Sequence, residues 1–188
     1  MSKELSSPAF GVLEVTPPLL DSPPDAEGLR SALRLLAGGV TIITAGEGDD
    51  RTGATVTSAT GLSVDPPRML VSLNHTSSTW PVVERYGHFC VNLVGPHHQA
   101  LANQFAGRGG LKGPERYRGA EWTRLASGAP VLDDAIAAVD CVVEEVLPRH
   151  GHVLVIGKVA AIRSRGGQSL GYCAGRYVPI PESSVFNG

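Results

Sequence analysis

Residues 53–67, Gly53-Ala54-Thr55-Val56-Thr57-Ser58-Ala59-Thr60-Gly61-Leu62-Ser63-Val64-Asp65-Pro66-Pro67, constrain the fold of this chain more than any other stretch. Hydroxyl-bearing and small side chains crowd a run too apolar to be a solvent linker. Asp-Pro-Pro stops it abruptly, because proline has no N–H to donate and a fixed φ. A β-rich run, Arg68-Met69-Leu70-Val71-Ser72-Leu73-Asn74, follows at once. Strand, turn, strand in immediate succession leaves no room for a crossover helix, so these segments belong to an antiparallel arrangement.

The rest of the chain repeats that economy. Residues 1–25 form a tail in which Pro8, Pro17, Pro18, Pro23 and Pro24 lie among Ser, Asp and Glu, so it is expected to be extended or disordered. The domain proper is expected over 26–188. Leu29, Leu33, Leu36 and Ala37 make one helical stripe, closed by Gly38-Gly39. Val40–Ala45 is a β-branched strand, and Gly46–Asp50 turns it back into the hydroxyl-rich segment. A short helix is expected from Thr79 to Tyr86, with Pro81 in its first turn and Ser78 or Thr79 as cap. Phe89–Val94 alternates as a strand, His97–Ala106 is helical, and Gly107 stops it. Residues 107–120 are rich in Gly and Arg and predict a mobile loop. Two long strands, Ala135–Leu147 and His152–Ile162, are joined by a turn at Pro148–Gly151, and Leu170–Tyr172 and Tyr177–Val178 are short terminal pieces. Strands outnumber helices and follow one another as hairpins. The expected fold is mainly β, an antiparallel barrel with a few covering helices.

Composition removes several functions. The 188-residue chain carries a net charge of −2 with scattered arginines, so no nucleic-acid footprint is expected. Its three cysteines, Cys90, Cys141 and Cys173, are odd in number and far apart, which fits a reducing cytoplasm better than a disulfide framework or a structural zinc site. No apolar run reaches the roughly 20 residues that span a bilayer. The N-terminus has no hydrophobic signal core, so a cytoplasmic protein is expected.

Motifs for the commonest chemistries are missing. No Gly-x-Gly-x-x-Gly follows a strand, no Gly-x-x-x-x-Gly-Lys-Ser/Thr exists, and there is no Gly-x-Ser-x-Gly elbow. Asp133-Asp134 is expected as a solvated turn or cap, and His97-His98 as solvent-facing in a first helical turn. His150-x-His152 places two imidazoles at alternating positions without a third ligand, so no metal site is expected. Ser77-Ser78-Thr79 precedes a helix, where orphan N–H groups and hydroxyls either cap or hold a phosphate. The hydroxyls of 53–67 beside backbone N–H groups suit a polar, uncharged ligand with many acceptors, such as a flavin nucleotide.

The order of these pieces resembles the flavin reductase-like, split-barrel FMN-binding family, the short reductases that serve two-component flavin monooxygenases. The likeness covers about residues 30–180. It rests on Gly39–Thr44, Gly53–Pro67, Ser72-Leu73-Asn74 with Ser77-Ser78-Thr79, Phe89–Leu93, Leu101–Ala106, Gly151–Val159, and Leu170-Gly171-Tyr172 with Gly175-Arg176-Tyr177. The resemblance implies an antiparallel, Greek-key-like FMN-binding split barrel and an NAD(P)H-dependent reductase. Its cofactors are FMN or FAD, with NADH or NADPH as co-substrate. It implies that Thr55, Val56, Thr57 and Ser58 line the isoalloxazine edge, that Ser72, Leu73 and Asn74 continue the pocket, and that Ser77, Ser78 and Thr79 hold the phosphate. Phe105 and Ala106 close one side, Tyr177 stands at the mouth, and His152 faces the nicotinamide as the catalytic candidate. A homodimer with flavin at the subunit interface and a partner monooxygenase are implied as well. Gly61, the lack of an acidic residue before His152, and the glycine-rich 107–113 loop depart from the family pattern. The residues leave two other activities open, a flavin-dependent oxidase or oxygenase with tightly bound FMN and a non-catalytic flavin-binding module.

Overall fold

The computed structural model describes residues 25–181. The tail expected over residues 1–25 lies outside them except for Asp25. Contacts divide the chain after Leu33, and the segment before that point is taken by itself. It supplies most of helix α1, Ala26–Leu35, on which Leu29 and Leu33, four residues apart, share a face. Leu36 and Ala37, expected to extend that stripe, lie beyond the helix. Gly38-Gly39, expected as its stop, instead forms the short strand β1, Gly38–Gly39.

The unit from residue 34 onward is built on antiparallel strands. They are β2 (Thr41–Ala45), β3 (Thr52–Val56), β4 (Ala59–Val64), β5 (Pro67–Asn74), β6 (His88–Leu93), β7 (Trp122–Arg124), β8 (Pro130–Leu132), β9 (Ala137–Arg149), β10 (His152–Ser164), β11 (Ser169–Cys173) and β12 (Arg176–Ile180). Two short helices accompany them, α2 (Trp80–Tyr86) and α3 (Gln99–Phe105). The largest sheet has the order β3-β2-β6-β9-β10-β5-β4, and small sheets are formed by β1-β11-β12 and by β7-β8. Hairpins join β2 to β3, β4 to β5 and β9 to β10, while the ladders β2-β6, β6-β9 and β10-β5 join strands distant in sequence. The mainly antiparallel β architecture expected from the sequence is the one observed.

The hydroxyl-rich segment is two strands, not one. β3 and β4 occupy the two opposite edges of the seven-stranded sheet, yet only Thr57 and Ser58 separate them. In a flat sheet those edges would stand about 28 Å apart, six spacings of about 4.7 Å. Three chain steps reach only about 11 Å. The sheet therefore curls until its edges approach, and Ser58 bridges them. Its Oγ donates to the Ser72 carbonyl at 2.7 Å, and Ser72 N–H donates back to the Ser58 carbonyl at 3.4 Å.

Curling gives the sheet two buried surfaces. Ile43 and Ala45 of β2 join Val71, Leu73, Phe89, Val91, Val153 and Val155 in one cluster, sealed by Trp80, Val82 and Val83 of α2. Ile42, one residue away and so on the opposite face, joins Val40, Leu101, Ala102, Phe105 and Leu132 in a second cluster under α3. Buried Asn92 ties these layers together. Its amide donates to the Ile42 carbonyl and Thr44 Oγ1, both at 3.0 Å, and its Oδ1 accepts from Leu132 N–H at 2.8 Å. A buried amide so fully partnered costs little.

Candidate functional site

Five of the predicted site residues meet in one cavity of about 210 Å³. Thr55 and Val56 come from the end of β3, Thr57 from the link after it, Ala106 from the C-cap of α3, and Tyr177 from β12. Three further residues share the lining: Val40, Arg108 and Tyr172. Thr55 is fixed by its hydroxyl, which donates to the Ala102 carbonyl of α3 at 2.7 Å and so locks strand to helix. Thr57 can sit where it does because Gly38 has no side chain. A Cβ at Gly38 would lie 2.8 Å from the Thr57 Cβ.

The aromatic wall follows from hairpin register. β11 and β12 are joined by a two-residue turn, Ala174-Gly175, both at positive φ, which places Tyr172 directly opposite Tyr177. Their rings meet edge to face at 5.3 Å and 69°, the favoured geometry for two quadrupoles. Burial pushes the Tyr177 phenol up from its ordinary range, and the nearby Arg108 charge works against that rise. Tyr177 is thus a neutral donor at neutral pH. The lining contains no carboxylate.

A second group of predicted residues collects at the neighbouring ends of β5 and β10. His152 pairs across the sheet with Asn74, Ser72 with Leu154, and His75 N–H donates to the Gly151 carbonyl at 3.0 Å. His152 is exposed and does not line the cavity. His150-Gly151 is the two-residue turn of the β9-β10 hairpin, with His150 at φ 51°, so the strand β9 runs on through Pro148 and Arg149. Asn74 Oδ1 accepts from both the backbone N–H and the hydroxyl of Thr76 at 2.8 Å, which closes the loop as an Asx turn. Thr79 occupies the N-cap of α2, as expected, but its side chain makes no capping bond; Ser77 Oγ instead accepts from Trp80 N–H at 3.3 Å. Ser78 is exposed, and Thr79 is buried with its hydroxyl unpartnered among the described residues.

Two expected pocket residues are core residues. The Leu73 side chain is buried in the first cluster, because its register on β5 turns it inward. Phe105 is also buried, packed on Tyr117 at 5.0 Å and Trp122 at 5.6 Å, so it supports the floor and does not present a face to a ligand. The loop expected to be mobile is anchored over its second half. Arg116 donates to the Gly53 and Leu111 carbonyls at 2.6 and 2.9 Å, and the Tyr117 hydroxyl donates to the Thr52 carbonyl at 2.6 Å.

A larger cavity, about 630 Å³, borders α3 through Leu101 and Gln104 and contains His97, His98 and Asp134. His98, expected in solvent, is buried. The three side chains come together with their ligand atoms within 4.8 Å of one another, close enough to share a metal ion. However, Gly95 N–H donates to His98 Nδ1 at 3.1 Å, which requires a lone pair there and puts the ring proton on Nε2. That proton faces Asp134 Oδ1 at 3.0 Å in a bent contact. Burial acts to raise the Asp134 carboxyl, but the contact with His98 opposes it and the group lies below its ordinary range.

Of the residues that sequence reasoning missed, Tyr172 was accessible. Pairing it with Tyr177 needs only the two-residue turn between them. Arg108 was hidden in a loop whose composition signals mobility, and Val40 was indistinguishable from any strand residue.

Comparison with known proteins follows the same outline. The family model described as flavin reductase like domain matches residues 33–181. The FMN reductase (NADH) RutF 2 of Rhizobium rhizogenes is 37% identical over 170 residues, covering 89% of this chain and 97% of that protein. Among solved structures, a putative flavin reductase from Haemophilus somnus superposes with a TM-score of 0.80 at 26% identity, over 84% of this chain and all of that one. The styrene monooxygenase flavin reductase from Pseudomonas putida S12 gives 0.71 at 31% identity, over 82% of this chain and 98% of that one.

Proposed function

Because the chain belongs to the flavin reductase-like domain family, we propose that it is an NADH-dependent flavin reductase that takes FMN and supplies reduced flavin to a partner monooxygenase. The choice of FMN and NADH is supported by the relative from Rhizobium rhizogenes, whose name carries both. A partner oxygenase is supported by the styrene monooxygenase component among the similar structures. The observation that carries the reading is the cavity in which Thr55, Val56, Thr57, Ala106 and Tyr177 meet. Its chemistry fits a flavin: apolar walls, neutral hydroxyls, an aromatic pair and no carboxylate.

When bound, the flavin supplies the ring that accepts the hydride and the nicotinamide supplies the hydride. The protein's work is to hold, orient and exclude water. β3 is an edge strand, so its outer row of backbone groups has no strand partner and is available to a ligand at Thr55–Thr57. Tyr172 and Tyr177 shield one side. Ser58, Ser72 and Asn74 continue the surface toward Ser77 and Ser78, whose hydroxyls serve the phosphate of one of the two nucleotides, and His152 guides the nicotinamide. No side chain needs to act as nucleophile, which agrees with the missing triad motifs.

We place the protein in the cytoplasm as a homodimer. No helix among the described residues is long and apolar enough to cross a membrane, and all three cysteines are free. Anaerobic mixing with NADH and with NADPH tests the activity. The visible absorbance of added FMN is expected to bleach, faster with NADH. A preparation that stays yellow after desalting and oxidises neither nucleotide would defeat the reductase reading in favour of an oxidase or a binding module.

A further inference from the structure

The cavity lining holds one formal charge, Arg108, and everything else in it is neutral. Arg108 follows Gly107 at φ 81° and precedes Gly109 at φ 81° and Gly110 at φ 74°. These left-handed positions suit glycine, and Arg108 lines the cavity beside Tyr172 and Tyr177 of the β11-β12 hairpin. The charge sits close enough to Tyr177 to act on its phenol. No carboxylate among the described residues pairs with Arg108, whereas Arg68, Arg85 and Arg163 are each held by one. Around it stand further donors, the hydroxyls of Tyr172, Tyr177 and Thr57. An exposed guanidinium over a donor-rich, carboxylate-free mouth is complementary to an anion, and its planar fork suits phosphate oxygens.

We propose that Arg108 is a phosphate-recognition residue at the mouth of this cavity. It binds either the phosphate of the flavin nucleotide or the pyrophosphate of the nicotinamide dinucleotide. The inference rests on the reductase reading for the identity of the ligands and goes beyond it in assigning them a charged contact. The position is exposed, so substitution is expected to leave the fold intact.

The test compares wild type, Arg108→Gln and Arg108→Lys, with thermal melts as a folding control. Dissociation constants are measured for FMN and for riboflavin, which lacks the phosphate. KM and kcat for NADH are measured with riboflavin as acceptor. If the flavin phosphate is the partner, Arg108→Gln weakens FMN about tenfold and leaves riboflavin unchanged. If the dinucleotide is the partner, both flavins bind as before, while KM for NADH rises about tenfold and kcat moves less than about twofold. In either case Arg108→Lys, which keeps the charge but loses the fork, falls between, and raising the salt weakens wild type more than Arg108→Gln. The proposal is overturned if all three constants stay within about twofold of wild type, or if riboflavin weakens as much as FMN. A wild-type protein that oxidises no NADH would defeat the reductase reading instead, and the FMN-to-riboflavin comparison alone would then decide Arg108.

Discussion

Gly53 shows how closely single residues are held here. A Cβ at this position would collide with the Ile43 carbonyl oxygen and lie 2.8 Å from the Phe105 ring. Backbone cannot move as a flexible side chain can, so Gly53→Ala is expected to lower stability by about 1–3 kcal/mol, the cost of overpacking a dense core. Chemical denaturation checks it. His152 is the opposite case, exposed and without packing obligations. His152→Ala is expected to leave stability and FMN affinity unchanged while slowing hydride transfer or weakening the nicotinamide nucleotide. Stopped-flow reduction traces identical to wild type would remove it from the mechanism. The cysteines separate by environment. Burial pushes the Cys141 thiol up to about 12 and raises Cys90 well above its ordinary value, with the Asp140 charge adding to both, whereas Cys173 is partly exposed. Thiolate is the reactive form. A thiol reagent at pH 8 is therefore expected to modify Cys173 alone in the folded protein and all three cysteines in denaturant.

At the scale of elements, the segment 112–122 is the least expected part of the fold. Its glycines and arginines mark a loop, and composition cannot distinguish a free loop from one whose side chains reach back to the sheet. Arg116 and Tyr117 do reach back, onto the carbonyls of Gly53 and Thr52 on the edge strand β3. These bonds satisfy backbone acceptors that β3, as an edge, has no strand to pair with. Arg116→Ala is expected to cost about 1.5–3 kcal/mol, the range for a hydrogen bond to a charged group. It should also make residues 107–118 a preferred site of limited proteolysis, and unchanged digestion would count against the anchoring role. The long hairpin β9-β10 was legible, because alternation and a Gly-containing turn are local signals. The strands β7 and β8 were not, since three-residue strands carry too little periodicity to register. Nor was the break at Thr57-Ser58, which nothing in the local sequence marks.

For the whole molecule, the curled sheet accounts for the site. Bringing its edges together places the end of β3 beside Ser72 of β5. Apolar side chains remain on the outside, with Val64 at 93% and Ile162 at 65% exposure. We expect the protein to sediment at twice its chain mass, and a monomer across the working concentration range would refute the homodimer. The sequence by itself determined the antiparallel β class, the main strands and the hydroxyl-rich segment as a candidate binding wall, because alternation, proline stops and turn residues act over a few positions. It also carried Thr55, Val56, Thr57, Ala106 and Tyr177 into the candidate site through resemblance. Only the tertiary structure decided which of those side chains face the cavity. It turned Leu73 and Phe105 into the core, separated His152 from the cavity lining, and set Arg108 beside the tyrosine pair. The reason is physical. A strand's periodicity says that alternate residues share a face, but which face meets the core is settled by sheet curvature and by packing between residues far apart in the chain.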